Sequence, residues 1–146
     1  MIENIVNKGF DKDFVGSLLP QKFPFVMVDK LYSYTETSLT SGFAIEENAI
    51  FFQDGNLVES GLIEHMAQSV ALHTGYQFFL KQEPAPTGYI GSIKEIELKK
   101  LPKLHEEIQT TVSILQEFGG ITLVDVVSKI NDIEIAKGQM KTVLAK

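Results

Sequence analysis

Residues 57–81 form the segment that most restricts what this chain can fold into. Apolar residues recur there in adjacent pairs four positions apart, which is the spacing of an α-helix. The pairs are Leu62 with Ile63, Met66 with Ala67, Val70 with Ala71, and Phe78 with Phe79. A helix that is apolar on nearly every side has to be buried, so the remaining residues must supply its cover. Pro84 and Pro86 follow and end the helix.

The rest of the chain predicts strands on either side of this helix. Residues 1–17 are a short lead-in, with Asp11 or Asp13 as a helix cap and Phe10, Phe14 and Val15 as its apolar side. Gly119-Gly120 and Asn131-Asp132 stand where tight hairpin turns are needed. The predicted strands are Phe25–Tyr34, Leu39–Ile45, Tyr89–Leu98, Ile108–Glu117, Ile121–Ile130 and Ile133–Leu144. We therefore expect an α+β hot-dog fold, in which a curved antiparallel sheet wraps a long central helix.

Length and composition exclude several classes of protein. A chain of 146 residues predicts one domain, spanning residues 1–146. The net charge of −6 argues against nucleic-acid binding, which needs a concentrated basic face. There is no cysteine, and so no disulfide or thiolate metal site. No run reaches the ~18 apolar residues of a membrane span, and the first residues lack a signal-peptide pattern, so we expect a cytoplasmic location.

Three motifs resemble those of the 3-hydroxyacyl-[acyl-carrier-protein] dehydratases. Residues 19–30, LPQKFPFVMVDK, are similar to the family's LPHRYPFLLVDR, and residues 63–68, IEHMAQ, are similar to its IEAMAQ. Residues 90–93 are similar to the strand after the family's helix. The resemblance implies a hot-dog dimer with an acyl tunnel at the interface. In it, a loop histidine and a helix glutamate of the partner subunit flank the substrate during elimination of water.

The chain departs from that family in the loop before the helix. The family's loop carries its histidine in the pattern GHFPG, whereas residues 54–61, DGNLVESG, are shorter and contain no histidine. The position of the family's histidine falls near Gly55. The shorter pattern resembles more closely the dehydratase-like proteins of aryl polyene and flexirubin pigment pathways. That resemblance implies pairing with a second hot-dog dehydratase.

Glu64 matches the family's helix glutamate and is the first candidate catalytic residue. A carboxylate on so apolar a helix must be partnered or functional. Gln68 lies four residues on, on the same face, where it can orient Glu64 or bind substrate. Ser60 and Gly61 lie at the helix start, where backbone N–H groups are candidates for binding a carbonyl oxygen. Gly61 would let a ligand approach closely, and its alternative role is helix entry.

The other candidates carry weaker arguments. His65 cannot converge with Glu64 of its own chain, because adjacent helical residues diverge by about 100°, but it can act across a dimer interface. Asp54 is a candidate second carboxylate and Asn56 a candidate for binding, although both also suit a simple turn. Gly91 is a further substrate-binding candidate under the resemblance.

The resemblance implies a protein that acts on an acyl thioester. The leading hypothesis is a 3-hydroxyacyl dehydratase-like protein with Glu64 as its site carboxylate. One rival is a thioesterase, which needs a helix carboxylate but no histidine; the other is a non-catalytic subunit that completes a partner's site. We expect an acyl-carrier protein or coenzyme A as carrier, a homodimer or hetero-oligomer, and neither metal nor cofactor. Lys99, Lys100 and Lys103 form either a solvated strand end or a contact for an acidic carrier protein.

Overall fold

A computed structural model describes residues 3–4 and 12–145. Within these ranges the order is strand, helix, four strands, helix, four strands. The two helices are α1 (Lys12–Ser17) and α2 (Glu59–Leu80). The strands are β1 (Glu3–Asn4), β2 (Lys30–Thr35), β3 (Ser38–Ala44), β4 (Phe52–Gln53), β5 (Asn56–Leu57), β6 (Gly88–Leu98), β7 (Glu107–Phe118), β8 (Ile121–Ile130) and β9 (Ile133–Leu144).

Seven strands form one antiparallel sheet in the order β1-β2-β3-β7-β8-β9-β6, while β4 and β5 make a separate hairpin. The middle of the sheet is the pair β3 and β7, two strands that are far apart in the sequence, and in this pair Leu39 lies opposite Val112. Gly119-Gly120 and Asn131-Asp132 join β7 to β8 and β8 to β9 with positive φ at all four residues. This is the conformation that two-residue hairpins demand, so both predicted turns are confirmed.

The core lies between α2 and the inner face of the sheet. Leu62 and Met66 on the helix are fully buried, and they pack in one cluster with sheet residues such as Ile108 and Met140. A second cluster joins α2 to α1 and β2. One stripe of the helix, which includes Glu64, Ala67 and Ala71, is only partly buried. The predicted cover around α2 is therefore incomplete on the side where Glu64 lies.

Helix α2 begins two residues later than predicted, because Leu57 is used by the β4–β5 hairpin, which the sequence did not predict. Strand β2 begins at Lys30 and not at Phe25. The cause lies at Met27, whose N–H bonds the Gln68 side chain and whose carbonyl bonds His65. Backbone groups that bond helix side chains cannot join a strand ladder, so residues 26–28 are not paired with the sheet. Contact with β3 begins at Asp29, whose N–H donates to the Gly42 carbonyl.

The predicted lead-in helix is confirmed in part. Helix α1 starts at Lys12, with Asp13 in its first turn and Val15 fully buried. Asp11 and Phe10 lie outside the described residues.

Candidate functional site

Glu64 and Gln68 lie on the incompletely covered stripe of α2. The Gln68 amide Nε2 donates a hydrogen bond of 2.7 Å to Glu64 Oε2, as their four-residue spacing allows. Gln68 itself is fully buried, whereas Glu64 is half-buried. The predicted shared face is confirmed. Glu64 is thus held at one oxygen, and its other oxygen, Oε1, is the one that can address a ligand.

The segment before β2 determines which way the Gln68 amide points. Gln68 Oε1 accepts the Met27 N–H at 2.6 Å, and Nε2 donates to the Phe25 carbonyl at 2.7 Å as well as to Glu64. Because an N–H can only donate, the Met27 contact fixes the oxygen end of the amide and directs the NH₂ group toward Glu64. The extended segment at residues 25–27 therefore positions the Glu64 carboxylate through Gln68.

Glu64 lines a cavity of about 140 Å³ between α2, the turn after α1 and the start of β6. Most of its wall is apolar, and among the described residues that line it Glu64 has the one carboxylate. The remaining lining residues are Leu18, Pro20, Gln21, Ala67, Val70, Ala71, Thr74, Gly75, Ala85, Pro86, Gly88, Tyr89, Ile90, Thr142 and Leu144. An apolar wall with few polar groups is typical of a small-molecule site, but this cavity is smaller than the roughly 300–1,000 Å³ of such sites.

His65 lies about 100° around α2 from Glu64, inside the core, with none of its surface exposed. Its Nδ1–H donates to the Met27 carbonyl at 2.7 Å, and Nε2 lies 2.7 Å from Thr110 Oγ1. Thr110 Oγ1 in turn lies 2.7 Å from Ser128 Oγ. Both ring nitrogens are thereby occupied, and His65 does not line the Glu64 cavity. This position indicates a structural role within one chain, and it keeps the imidazole out of contact with the Glu64 carboxylate.

Burial lowers the pKa of His65 from an ordinary 6.5 to about 4, and burial also lowers the pKa of His73. A histidine whose pKa is lowered by folding binds protons more readily when unfolded. Its stabilising effect is therefore complete above pH 6.5 and is lost as the pH falls toward 4. We expect the free energy of unfolding to fall by about 2 kcal/mol from pH 7 to pH 5 because of His65 alone. Urea unfolding at each pH measures this change.

His105 provides the matched control for this measurement, since it is exposed in the turn between β6 and β7. The His105→Gln variant should show the same change in unfolding free energy between pH 7 and pH 5 as the wild type. The His65→Gln variant should show a smaller change, even if its fold is less stable at both pH values. Equal slopes for these two variants would show that His65 does not titrate on unfolding.

Asp54 and Asn56 lie in the β4–β5 hairpin. Asp54 and Gly55 both have positive φ, of 54° and 84°, and form its two-residue turn. Asn56 pairs with Gln53 across the hairpin and forms a bridge with Lys103. Neither side chain lines the Glu64 cavity. The turn geometry accounts for both residue types, and their catalytic and binding roles stay predictions.

Ser60 and Gly61 occupy the first turn of α2, where Ser60 is exposed and Gly61 is buried. A Cβ on Gly61 would lie 2.6 Å from Phe51 Cβ and 2.8 Å from a Leu57 methyl. The close approach that glycine permits here is to the chain's own side chains at the entry to the helix, and the binding roles of Ser60 and Gly61 stay predictions. Gly91 is exposed at an irregularity in the pairing of β6 with β9, next to the cavity residue Ile90.

Strand β6 forms one edge of the sheet and pairs with β9 alone among the described strands. Four of its apolar side chains are exposed, at 61%, 39%, 40% and 37% of their surface: Tyr89, Ile90, Ile93 and Ile96. A long apolar edge strand is a template for pairing with another chain. Because Tyr89 and Ile90 also line the Glu64 cavity, a chain bound at this edge would lie beside the site.

The basic cluster after β6 is largely neutralised. Lys99 forms an ion pair with Glu134, and Lys100 lies 3.6 Å from Glu106. This pairing favours the solvated strand end over a carrier-protein contact. Among residues 3–4 and 12–145 no group of three metal-ligating side chains comes together. Neither described helix has the length and apolar character that a membrane crossing requires.

Gln21 is the cavity residue that the sequence did not single out. Its signal was present in the first motif, since it stands where the dehydratase pattern LPHR has its histidine. Residues on an irregular segment show no periodicity that would direct attention to them.

Comparison with known families agrees with this geometry. A model of the ApeP-like family, described as ApeP dehydratase, matches residues 14–145. The chain belongs to this family. The predicted resemblance to hot-dog dehydratases is confirmed, and so is the fold, a long helix packed on an antiparallel sheet.

Individual relatives of this ApeP-like chain are distant. The 3-hydroxyacyl-[acyl-carrier-protein] dehydratase FabZ of Vibrio cholerae is 26% identical over 133 residues, which cover 87% of this chain and 86% of FabZ. The dehydratase heterocomplex ApeI:P of Xenorhabdus doucetiae contains a chain with a TM-score of 0.83 and 14% identity, over 90% of this chain and 91% of that one. A hypothetical thioesterase of Streptococcus pneumoniae TIGR4, solved with coenzyme A, has a TM-score of 0.64 and 11% identity over 79% and 84%.

Proposed function

We propose that this chain is one subunit of a dehydratase that eliminates water from a 3-hydroxyacyl thioester, with Glu64 as the acid that protonates the departing hydroxyl. The observation that carries the proposal is the apolar cavity beside α2, whose one carboxylate among the described residues is held by Gln68. Membership of a dehydratase family supports the reaction class.

Elimination of water needs two groups. A base removes the proton from C2 of the acyl group, the electron pair forms the C2–C3 double bond, and the hydroxyl leaves from C3 with a proton from an acid. Glu64 can be that acid. No histidine among the described residues lines the Glu64 cavity. His65 is buried in the core, His73 is buried with its Nε2 2.9 Å from the Thr35 carbonyl, and His105 lies in an exposed turn.

We infer that the base comes from a second hot-dog subunit. It would be a histidine on that subunit's loop before the central helix, the loop that in this chain is shorter and has no histidine. The exposed edge of β6 is where that subunit would pair, because its apolar side chains and free backbone groups lie next to the cavity. The similarity to a chain of the dehydratase heterocomplex ApeI:P supports such an arrangement. A thioester carried on an acyl-carrier protein is the substrate that the FabZ relative suggests.

A reconstitution assay tests this proposal. The purified chain alone, a hot-dog dehydratase chain of the same organism that carries the loop histidine, and the two purified together are each given a 3-hydroxyacyl thioester. We expect enoyl product at a rate at least about 100-fold higher with both chains. Full dehydration by this chain alone would overturn the two-subunit assignment. Release of free thiol without enoyl product would favour the thioesterase alternative. The similarity in fold to a hypothetical thioesterase solved with coenzyme A is the reason to test for it.

A further inference from the structure

His65 and Gln68 hold the backbone of one residue, Met27, from its two ends. The His65 Nδ1–H donates to the Met27 carbonyl at 2.7 Å, and the Met27 N–H donates to Gln68 Oε1 at 2.6 Å. Residues 26–28 are not paired with the sheet. Both polar groups of the Met27 backbone therefore bond side chains of α2, and these side chains fix where that backbone lies.

The imidazole of His65 is itself held in one orientation. A carbonyl can only accept, so Nδ1 carries the proton and Nε2 is an acceptor. Nε2 lies 2.7 Å from Thr110 Oγ1, which lies 2.7 Å from Ser128 Oγ. The ring also stacks on Phe43, with 5.9 Å between the ring centroids. These contacts connect the Met27 carbonyl to β3, β7 and β8 as well as to α2.

The Gln68 amide can donate to Glu64 in one of its two orientations. Its Nε2 donates to Glu64 Oε2 at 2.7 Å while its Oε1 accepts from Met27. If the Met27 N–H moved away, the amide could turn over and bring its own oxygen to the carboxylate, and neither oxygen has a hydrogen to donate. The position of the Glu64 carboxylate therefore depends on the position of the Met27 backbone.

Packing alone does not supply this control. The Met27 side chain is fully buried in the core cluster, but burial of an apolar side chain is a non-directional interaction. It holds the residue in the core without setting the direction of its carbonyl and N–H groups. The hydrogen bond from His65 sets that direction.

We propose that His65 is a positioning residue for Glu64, which acts through the Met27 backbone and the Gln68 amide without touching the substrate. This assignment rests on the proposed function and adds to it a residue that lies outside the cavity. The imidazole takes no part in proton transfer. It keeps the Glu64 carboxyl group directed at the 3-hydroxyl group of the substrate.

Two amide side chains at position 65 separate the Met27 bond from the rest of the imidazole. Asparagine ends near the place of Nδ1 and can still donate to the Met27 carbonyl, whereas glutamine extends toward Thr110. In the reconstituted complex, we expect His65→Gln to lower kcat about 10- to 100-fold with KM within about twofold, because a catalytic group is misplaced and binding is not. His65→Asn should remain within about threefold of the wild-type kcat.

His73→Gln is the control, the same change at another buried histidine of α2. His73 Nε2 lies 2.9 Å from the Thr35 carbonyl, and His73 does not line the Glu64 cavity. This variant should keep the wild-type rate even if it unfolds at a lower temperature. Equal losses in His65→Gln and His73→Gln would overturn the proposal, because damage to the core would then explain both. A wild-type rate in His65→Gln, or an equally slow His65→Asn, would overturn it too.

Amide hydrogen exchange tests the His65–Met27 bond without an activity assay. We expect the Met27 N–H to exchange at least about tenfold faster in His65→Gln than in the wild type, relative to Val126 in the middle of β8, because one segment opens while the sheet stays closed. An unchanged ratio would contradict the proposal. A wild-type complex that forms no enoyl product would overturn the proposed function and this role with it, and a raised exchange ratio would identify that case.

Discussion

The Glu64→Gln variant is expected to lose dehydration activity by about 10²- to 10⁴-fold, the range that a positioned general acid supplies. The amide has nearly the same shape as the carboxyl group, and its oxygen can still accept the hydrogen bond that Gln68 donates. The substitution therefore removes the transferable proton and leaves the surrounding contacts intact. The measurement is the initial rate of enoyl formation in the reconstituted complex, together with the unfolding temperature of each variant.

Glu59→Gln is the control for this experiment. Glu59 is an exposed acid in the first turn of the same helix and does not line the cavity. It should retain the wild-type rate, while both variants should unfold within a few degrees of the wild type. A Glu64→Gln variant with undiminished activity would remove this residue from the mechanism, and with it the proposed function.

The Gly75→Ala variant is expected to be destabilised by about 2–3 kcal/mol, although alanine normally favours a helix over glycine by up to 1 kcal/mol. A Cβ at position 75 would lie 2.1 Å from the Leu18 carbonyl oxygen and 3.1 Å from the Leu18 carbonyl carbon. The obstruction is backbone and cannot rotate away, so α2 and the turn after α1 must separate. Denaturant unfolding measures the loss as a lower midpoint.

Gly16→Ala is the matched change in α1, where an added Cβ would meet nothing within 4 Å. It should be neutral or stabilising by up to about 1 kcal/mol. If Gly75→Ala were equally harmless, the close packing of residue 18 on α2 would not hold. Since Leu18 and Gly75 both line the Glu64 cavity, the variant should also weaken substrate binding.

The chain's own local patterns were sufficient for much of the fold. Strands β8 and β9 have the predicted bounds, Ile121–Ile130 and Ile133–Leu144. Their alternation and their turns depend on neighbours close in sequence, which makes such elements predictable. The same is true of α2 and of the Glu64–Gln68 pair, because helical geometry alone places residues four apart on one face.

The absence of strand pairing at residues 26–28 had no local signal. Val26, Met27 and Val28 read as a strand, and only the arrival of α2 determines that His65 and Gln68 take both backbone groups of Met27. The pairing of these groups joins residues about forty positions apart. Such contacts depend on the assembled packing, and a helix periodicity does not contain them.

The sequence by itself determined the family motifs, the buried helix and the acid at position 64, because each follows from residue types at short spacing. Only the tertiary structure decided that His65 belongs to the core and that Gln21 shares a cavity with Glu64. The physical reason is that periodicity tells which residues share a face. Which neighbours close over that face, and which polar atoms are left without a partner, depends on segments that meet only when the whole sheet has formed around α2.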